Sequence, residues 1–204
     1  MNRIVKTKLA VLVLPLAFLI AAAGCSILPE SAPVQLLDPQ LPSPAIANRS
    51  ADWSLNIARP ESDPARDSNR LLVRTGGGQL QVHANARWVA AAPELLRTQL
   101  VRYLRDARSI SEVSAGAAGM NRTLALDLRR FELVETGGDR LPNRLEAEIR
   151  LEARLYDSRS AELLARELFE ARSPVVSADP AGLVSGFEAV LGEIVPALAD
   201  WLTD

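Results

Sequence analysis

The sequence predicts an α+β fold: one domain in which a mainly antiparallel sheet carries two amphipathic helices on one face. Three observations predict it. First, Arg144 to Tyr156 alternates without a miss. Leu145, Ala147, Ile149, Leu151, Ala153 and Leu155 stand on one side, and Arg144, Glu146, Glu148, Arg150, Glu152 and Arg154 on the other. A strand places all six apolar residues on one face, whereas a helix scatters them around its circumference. One dry face and one wet face indicate an antiparallel sheet. Second, Leu96, Leu100, Tyr103, Leu104 and Ala107 recur at intervals of three and four, with Glu94, Arg97, Arg102 and Arg105 between them. That spacing predicts a helix from Pro93 to about Arg108, with proline in its first turn. Third, Leu183, Phe187, Val190, Leu191, Ile194, Leu198, Trp201 and Leu202 form the apolar stripe of a terminal helix.

The N-terminus decides the compartment. Arg3, Lys6 and Lys8 precede the apolar run Leu9 to Ile20, and small residues follow to Gly24. Positive start, short apolar core and small-residue exit make a secretory signal peptide over residues 1–24. Ala22-Ala23-Gly24-Cys25 resembles the bacterial lipobox, whose cysteine is acylated and becomes the new N-terminus. Ala22 stands where Leu is usual. Ser26, in place of an inner-membrane Asp, points to the outer membrane. The plainer alternative makes Cys25 a small residue ending an ordinary signal or anchor helix. Cys25 is the chain's one cysteine, so it forms no intramolecular disulfide. One acyl chain binds a bilayer marginally, whereas two or more hold stably.

Cleavage removes three of the 23 basic residues and leaves 20 against 25 acidic ones, a charge of about −5. No stretch gathers arginines without matching carboxylates, so nucleic acid is not indicated. Residues 25–50 hold Pro29, Pro33, Pro39, Pro42 and Pro44 and read as an extended tether. Fully extended, such a segment spans roughly 80 Å. Within it, Val34 to Leu37 suits a short strand docked on the body. The domain itself covers 51–204.

Asp52 to Ala58 alternates Trp53, Leu55 and Ile57 as a strand. A polar link, Pro60 to Asn69, leads to a hairpin of Leu71–Arg74 and Leu80–Ala84 around Gly76-Gly77-Gly78. The glycines do not make a phosphate cradle, because Gln81 stands where a last Gly is required and no Lys-Ser/Thr follows. After the first helix come a short strand, Ser109 to Val113, and a glycine-rich loop, Gly116 to Gly119. Thr123 to Val134 is a long strand, with its turn at Gly137-Gly138-Asp139. Leu163 to Ala171 reads as a further strand, though its composition also allows a helix. Asp179-Pro180 caps the terminal helix. Pro196 is expected to kink that helix, and Gly182, Gly186 and Gly192 each weaken it by about 1 kcal/mol relative to Ala. Packing must therefore hold it.

No catalytic constellation emerges. His83 is the one histidine and reads as a surface strand residue. No G-x-S-x-G elbow occurs, and no His/Cys/carboxylate cluster has ligand spacing. Glu146, Glu148 and Glu152 are interleaved with arginines as cross-strand pairs on a solvated face. The expectation is a non-enzyme, with no cofactor and no metal. Trp53 and Trp88 remain as candidate partner-binding residues, since tryptophan is enriched at interface hot spots. The other reading of Trp88 is a core plug between sheet and helix.

Several landmarks occur in order: the lipobox at Cys25, a Pro-rich tether, LLVRTGGGQLQVHANARW before the helix APELLRTQLVRYL, Phe131-Glu132 in LDLRRFELV, the alternating strand, LFEARSPV and the closing helix. In this the chain resembles the ABC-type transport auxiliary lipoproteins of the PqiC kind. The resemblance covers nearly all of the mature chain. It implies a periplasm-facing, outer-membrane lipoprotein that works with an ABC transporter and an MCE-domain protein in moving lipid, phospholipid above all, between membranes. It carries over one residue, Cys25, as the acylation site, and it implies a homo-oligomer through the ring-forming MCE partner. A variant has the domain itself enclose lipid between sheet and helices. The alternative is a lipoprotein that regulates or structurally supports the cell-wall synthesis machinery.

Overall fold

The structure, a computed structural model, describes residues 33–48, 50–138 and 141–203. The signal peptide, Cys25 and the first part of the tether lie outside the described residues. From Val34 to Asp204 the chain makes one compact unit. Its elements are β1 (Gln35–Leu37), β2 (Ala51–Ile57), β3 (Glu61–Ser62), β4 (Arg70–Arg74), β5 (Leu80–Trp88), α1 (Ala92–Ala107), β6 (Ile110–Ser114), β7 (Arg122–Gly138), β8 (Leu141–Asp157), β9 (Leu163–Val175) and α2 (Pro180–Thr203). The fold is α+β, a nine-stranded sheet with two helices.

β7 is the spine. Along one side it pairs antiparallel with β8, which pairs antiparallel with β9, and these two ladders are the longest in the sheet. Along the other side β2, β3 and β4 follow one another, each parallel to β7. Leu55 sits opposite Arg122, Glu61 opposite Asp127, and Leu72 opposite Glu132. The chain from β2 to β4 is thus one broken line beside the spine, interrupted by a detour at 63–69. β4 and β5 form the glycine hairpin, and β6 and β1 add parallel to β2 and β5. The expected antiparallel character holds for the long ladders. The short parallel contacts were hidden because alternation reports which face a residue takes, not its neighbour's direction.

The LEAEIRLEARLY alternation has the predicted dry side: Ala147, Ile149, Leu151 and Ala153 are completely buried. Leu163 to Ala171 is strand, extended to Val175, because β8 offers it a full ladder. Both helices contribute to the same apolar core, including Leu96, Leu100 and Leu104 from α1 and Leu183, Phe187, Val190 and Leu191 from α2. Arg97 and Gln99 of α1 are not simply solvated. Arg97 Nε donates to the Ile57 carbonyl at 3.1 Å, and Gln99 Nε2 to the buried Pro39 carbonyl at 2.9 Å.

That last bond shows that part of the Pro-rich segment is bound to the body. Leu37 is buried, Val89 N donates to the Leu37 carbonyl at 2.9 Å, Gln40 N to Glu188 Oε1 at 3.0 Å, and Ala47 N to the Ala107 carbonyl at 2.8 Å. The compact unit therefore begins at Val34, inside the segment read as tether. Prolines forbid a helix here but leave carbonyls and apolar side chains free to dock.

α2 begins as expected, with Asp179 Oδ1 accepting from Gly182 N at 2.8 Å. It runs on through Pro196. The missing proline N–H concerns the carbonyl of Gly192, an exposed residue, so water can take its place. Its glycines differ in what surrounds them. A Cβ on Gly182 would lie 2.2 Å from the Ser177 carbonyl oxygen, and one on Gly186 would lie 2.8 Å from Val175 Cγ2, whereas Gly192 faces open space. Gly192→Ala should therefore stabilise the protein by about 1 kcal/mol. Gly182→Ala should destabilise it, because backbone must move. Thermal unfolding of the two variants checks both signs.

Candidate functional site

The face of the β7–β8–β9 ladder away from the helices does not match the solvated surface that its charges suggest. Glu132 and Glu148 are fully buried, and Glu152 is 5% exposed. Each is gripped by arginines. Arg130 Nη1 and Arg172 Nη2 donate to Glu148 at 2.8 and 3.0 Å. Arg74 Nε donates to Glu132 at 2.6 Å, and Arg66, brought in by the 63–69 detour, holds the other carboxylate oxygen. Glu152 takes Arg166 at 2.7 Å and Arg129 as well. The cross-strand pairing read from the sequence is present for Glu148 and Glu152, whose carboxylates are corrected from solvated to covered, whereas Glu146 is half-buried and joins neither clamp. Arginine stems are long enough to lie over a carboxylate and keep the guanidinium edge in water.

The Arg166 hydrogen bond and the nearby Arg129 charge hold the Glu152 carboxyl below the usual range, against the opposing pull of burial. A depressed folded-state pKa contributes stability above the unfolded value, and that contribution is lost as pH falls through the folded one. These clamps account for their own carboxylates as structure, since every acid oxygen involved faces guanidinium rather than open space.

The candidate residues fall in different places. Trp88 is fully buried. Its ring meets Phe131 at 5.2 Å and Phe187 at 4.6 Å, both edge-on, and those two rings stack at 5.1 Å. It therefore offers no surface to a partner, and it fills space between sheet and helices that an enclosed acyl chain would need. His83 is half-buried on β5, its Nδ1 accepting from Asn85 N at 3.4 Å. Among the described residues, no group of three or more His, Cys, Asp or Glu is placed to hold a metal.

Trp53 is half-buried, with the Arg122 guanidinium 4.1 Å above its ring. Beside it, Asn121 Oδ1 accepts from both the backbone and the hydroxyl of Ser54 at 3.0 Å, and the Asn121 carbonyl accepts from Ser158 N at 2.9 Å. The loops so tied enclose an open pocket of about 530 Å³ lined by Gly119, Met120, Asn121, Asp157, Ser158 and Arg159. A cation–aromatic pair next to a polar cleft can take a protein loop, but it has no nucleophile–base arrangement. Sequence reasoning singled out Trp53 and missed the cleft, because its walls come from loops some 40 residues apart.

Comparison with known proteins adds the following. The model of a family described as "ABC-type transport auxiliary lipoprotein component" matches residues 35–199. The crystal structure of protein XCC0632 from Xanthomonas campestris is 28% identical over 83% of this chain and 95% of that one, with a TM-score of 0.76. A protein described as uncharacterized shares the fold at 14% identity, over 83% of this chain and 99% of its own, with a TM-score of 0.63. A search of curated proteins returned no match.

Proposed function

We propose, since this chain belongs to the ABC-type transport auxiliary lipoprotein family, that it is the non-enzymatic outer-membrane station of a lipid-transport system, anchored through acylated Cys25 and facing the periplasm. It docks an MCE-domain conduit fed by an ABC transporter, so that phospholipid can pass between the two membranes. One observation supports this reading above the rest. The family match, 35–199, takes in nearly all of the compact unit from Val34 to Asp204, so the auxiliary role occupies the body as a whole. Trp53, with Arg122 and the cleft beside them, is the contact surface assigned to the conduit.

Crosslinking in the intact envelope, followed by pull-down and mass spectrometry, tests the partner. An MCE-domain protein should be enriched with the wild type, and Trp53→Leu with Arg122→Glu should reduce its recovery severalfold while leaving thermal unfolding of the body nearly unchanged. Recovery of a peptidoglycan synthase in its place would favour the cell-wall reading. Cys25→Ala should leave a folded body that no longer fractionates with the outer membrane. Unchanged fractionation would defeat the anchor.

A further inference from the structure

The chain enters the body at one edge of the sheet. β1 pairs with β5, Leu36 opposite Arg87 and Leu37 opposite Trp88. Leu37 and Trp88 turn into the core. By alternation, Val34, Leu36 and Arg87 face the other way, away from the helices. Val34 is 47% exposed and Leu36 67%. The same face continues across the hairpin: Arg70 lies opposite Arg87, Leu72 opposite the exposed Val82, and Arg74 opposite the exposed Leu80. This edge of the sheet thus presents four aliphatic side chains along the length of β5, Val34 and Leu36 at the β1 end with the exposed Arg70 and Arg87, and Val82 and Leu80 toward the hairpin turn. Among the described residues neither arginine has a carboxylate partner, whereas those around Glu132, Glu148 and Glu152 are paired.

Covalent reach gives this edge its neighbour. Between Cys25 and Val34 stand only Ser26 to Pro33, eight residues, and these span at most about 29 Å in any conformation. A body of this size has a radius of gyration of about 15 Å and is therefore roughly 40 Å across. The linker is shorter than the body is wide. An acyl anchor at Cys25 keeps Val34 within about 30 Å of the bilayer whatever path those residues take.

The geometry points to this edge as the body's membrane seat. Val34, Leu36, Leu80 and Val82 enter the interfacial zone of the bilayer that holds the acyl chains, and Arg70 and Arg87 bind headgroup phosphates of anionic phospholipid. Guanidinium forks match phosphate oxygens, and each basic side chain near an anionic surface strengthens membrane partition about fivefold. The seat rests on reading Cys25 as acylated. It leaves the helical side of the body free.

Acylation consumes the native thiol, so a single introduced cysteine becomes a unique label site. Full-length acylated protein carrying Leu36→Cys, Val82→Cys or, as control on the exposed side of α2, Ala189→Cys is labelled with an environment-sensitive fluorophore. Each is reconstituted into vesicles of phosphatidylethanolamine and phosphatidylglycerol containing a spin-labelled quencher lipid. Labels at 36 and 82 should shift to the blue and be quenched severalfold more than the label at 189. Arg70→Glu with Arg87→Glu, or vesicles of phosphatidylcholine alone, should remove most of that difference. Co-flotation with vesicles reads the anchor separately. Flotation with equal quenching at all three positions overturns the seat, as does quenching indifferent to the charge reversal. Failure of the wild type to float sinks the anchor and the seat with it. A Leu36→Cys disulfide between chains that forms equally well without vesicles would assign the edge to a second copy.

Discussion

Trp88→Ala should lower the free energy of unfolding by about 3–5 kcal/mol, the cost of deleting a large buried aromatic whose surroundings cannot collapse. Trp88 of β5 is fully buried and holds Phe131 of β7 and Phe187 of α2 in edge contacts at 5.2 and 4.6 Å. One ring therefore ties the hairpin, the spine and the terminal helix, and its removal loosens all three together. Denaturant unfolding followed by circular dichroism measures the loss. Trp88→Phe separates packing from polarity. Among the described residues the buried indole Nε1 has no hydrogen-bond partner, so the smaller ring loses contacts but also removes a buried donor. It should cost much less than Ala. An alanine variant within about 1 kcal/mol of wild type would show that the cluster does not hold the layers together.

Glu132→Ala should cost about 3–5 kcal/mol, for an electrostatic reason. The carboxylate is fully buried, and its partner Arg66 is only 8% exposed, so deleting the acid leaves a guanidinium largely out of water with Asp63 as its remaining partner. Arg74, 28% exposed, can turn toward solvent. Replacing both members of the buried pair, Glu132→Leu with Arg66→Leu, should recover most of the loss, since two desolvated charges disappear at once. A double-mutant cycle in denaturant reads the coupling. If Glu132→Ala cost less than about 1 kcal/mol, the pair would behave like an ordinary surface ion pair.

The clamp matters for the architecture because it fastens the detour between β3 and β4 to the spine. Neither Arg66 nor the burial of Glu132 was legible in the sequence, although Phe131-Glu132 stood out as a landmark. Strand alternation put Glu148 on the polar face, which is correct, whereas Glu132 joins it only because β7 shifts register between Leu128 and Arg130. It could not say that arginines from the detour, from β7 and from β9 would close over them. Trp88 shows the same division. Its place between a strand and a helix left a plug and an anchor both open, and the buried ring contacts with Phe131 and Phe187 decide for the plug. For Trp53, the sequence offered a candidate contact residue; its half-buried ring and the cleft beside it, where loops at 119–121 and 157–159 meet, came from the tertiary structure.

The sequence by itself determined the features that covalent geometry makes local. These are the period-2 strand from Arg144 to Tyr156, the stripes of α1 and α2, the glycine hairpin and the Asp179 cap. Side-chain direction repeats every two residues in a strand and about every 3.6 in a helix, so a few neighbours suffice to read it. Only the tertiary structure decided that β2, β3 and β4 run parallel to β7, that half of the Pro-rich segment belongs to the body, and that Glu132, Glu148 and Glu152 are closed to water beneath arginines. Each of these depends on chain segments far apart in sequence meeting across the sheet, and no local period encodes that meeting.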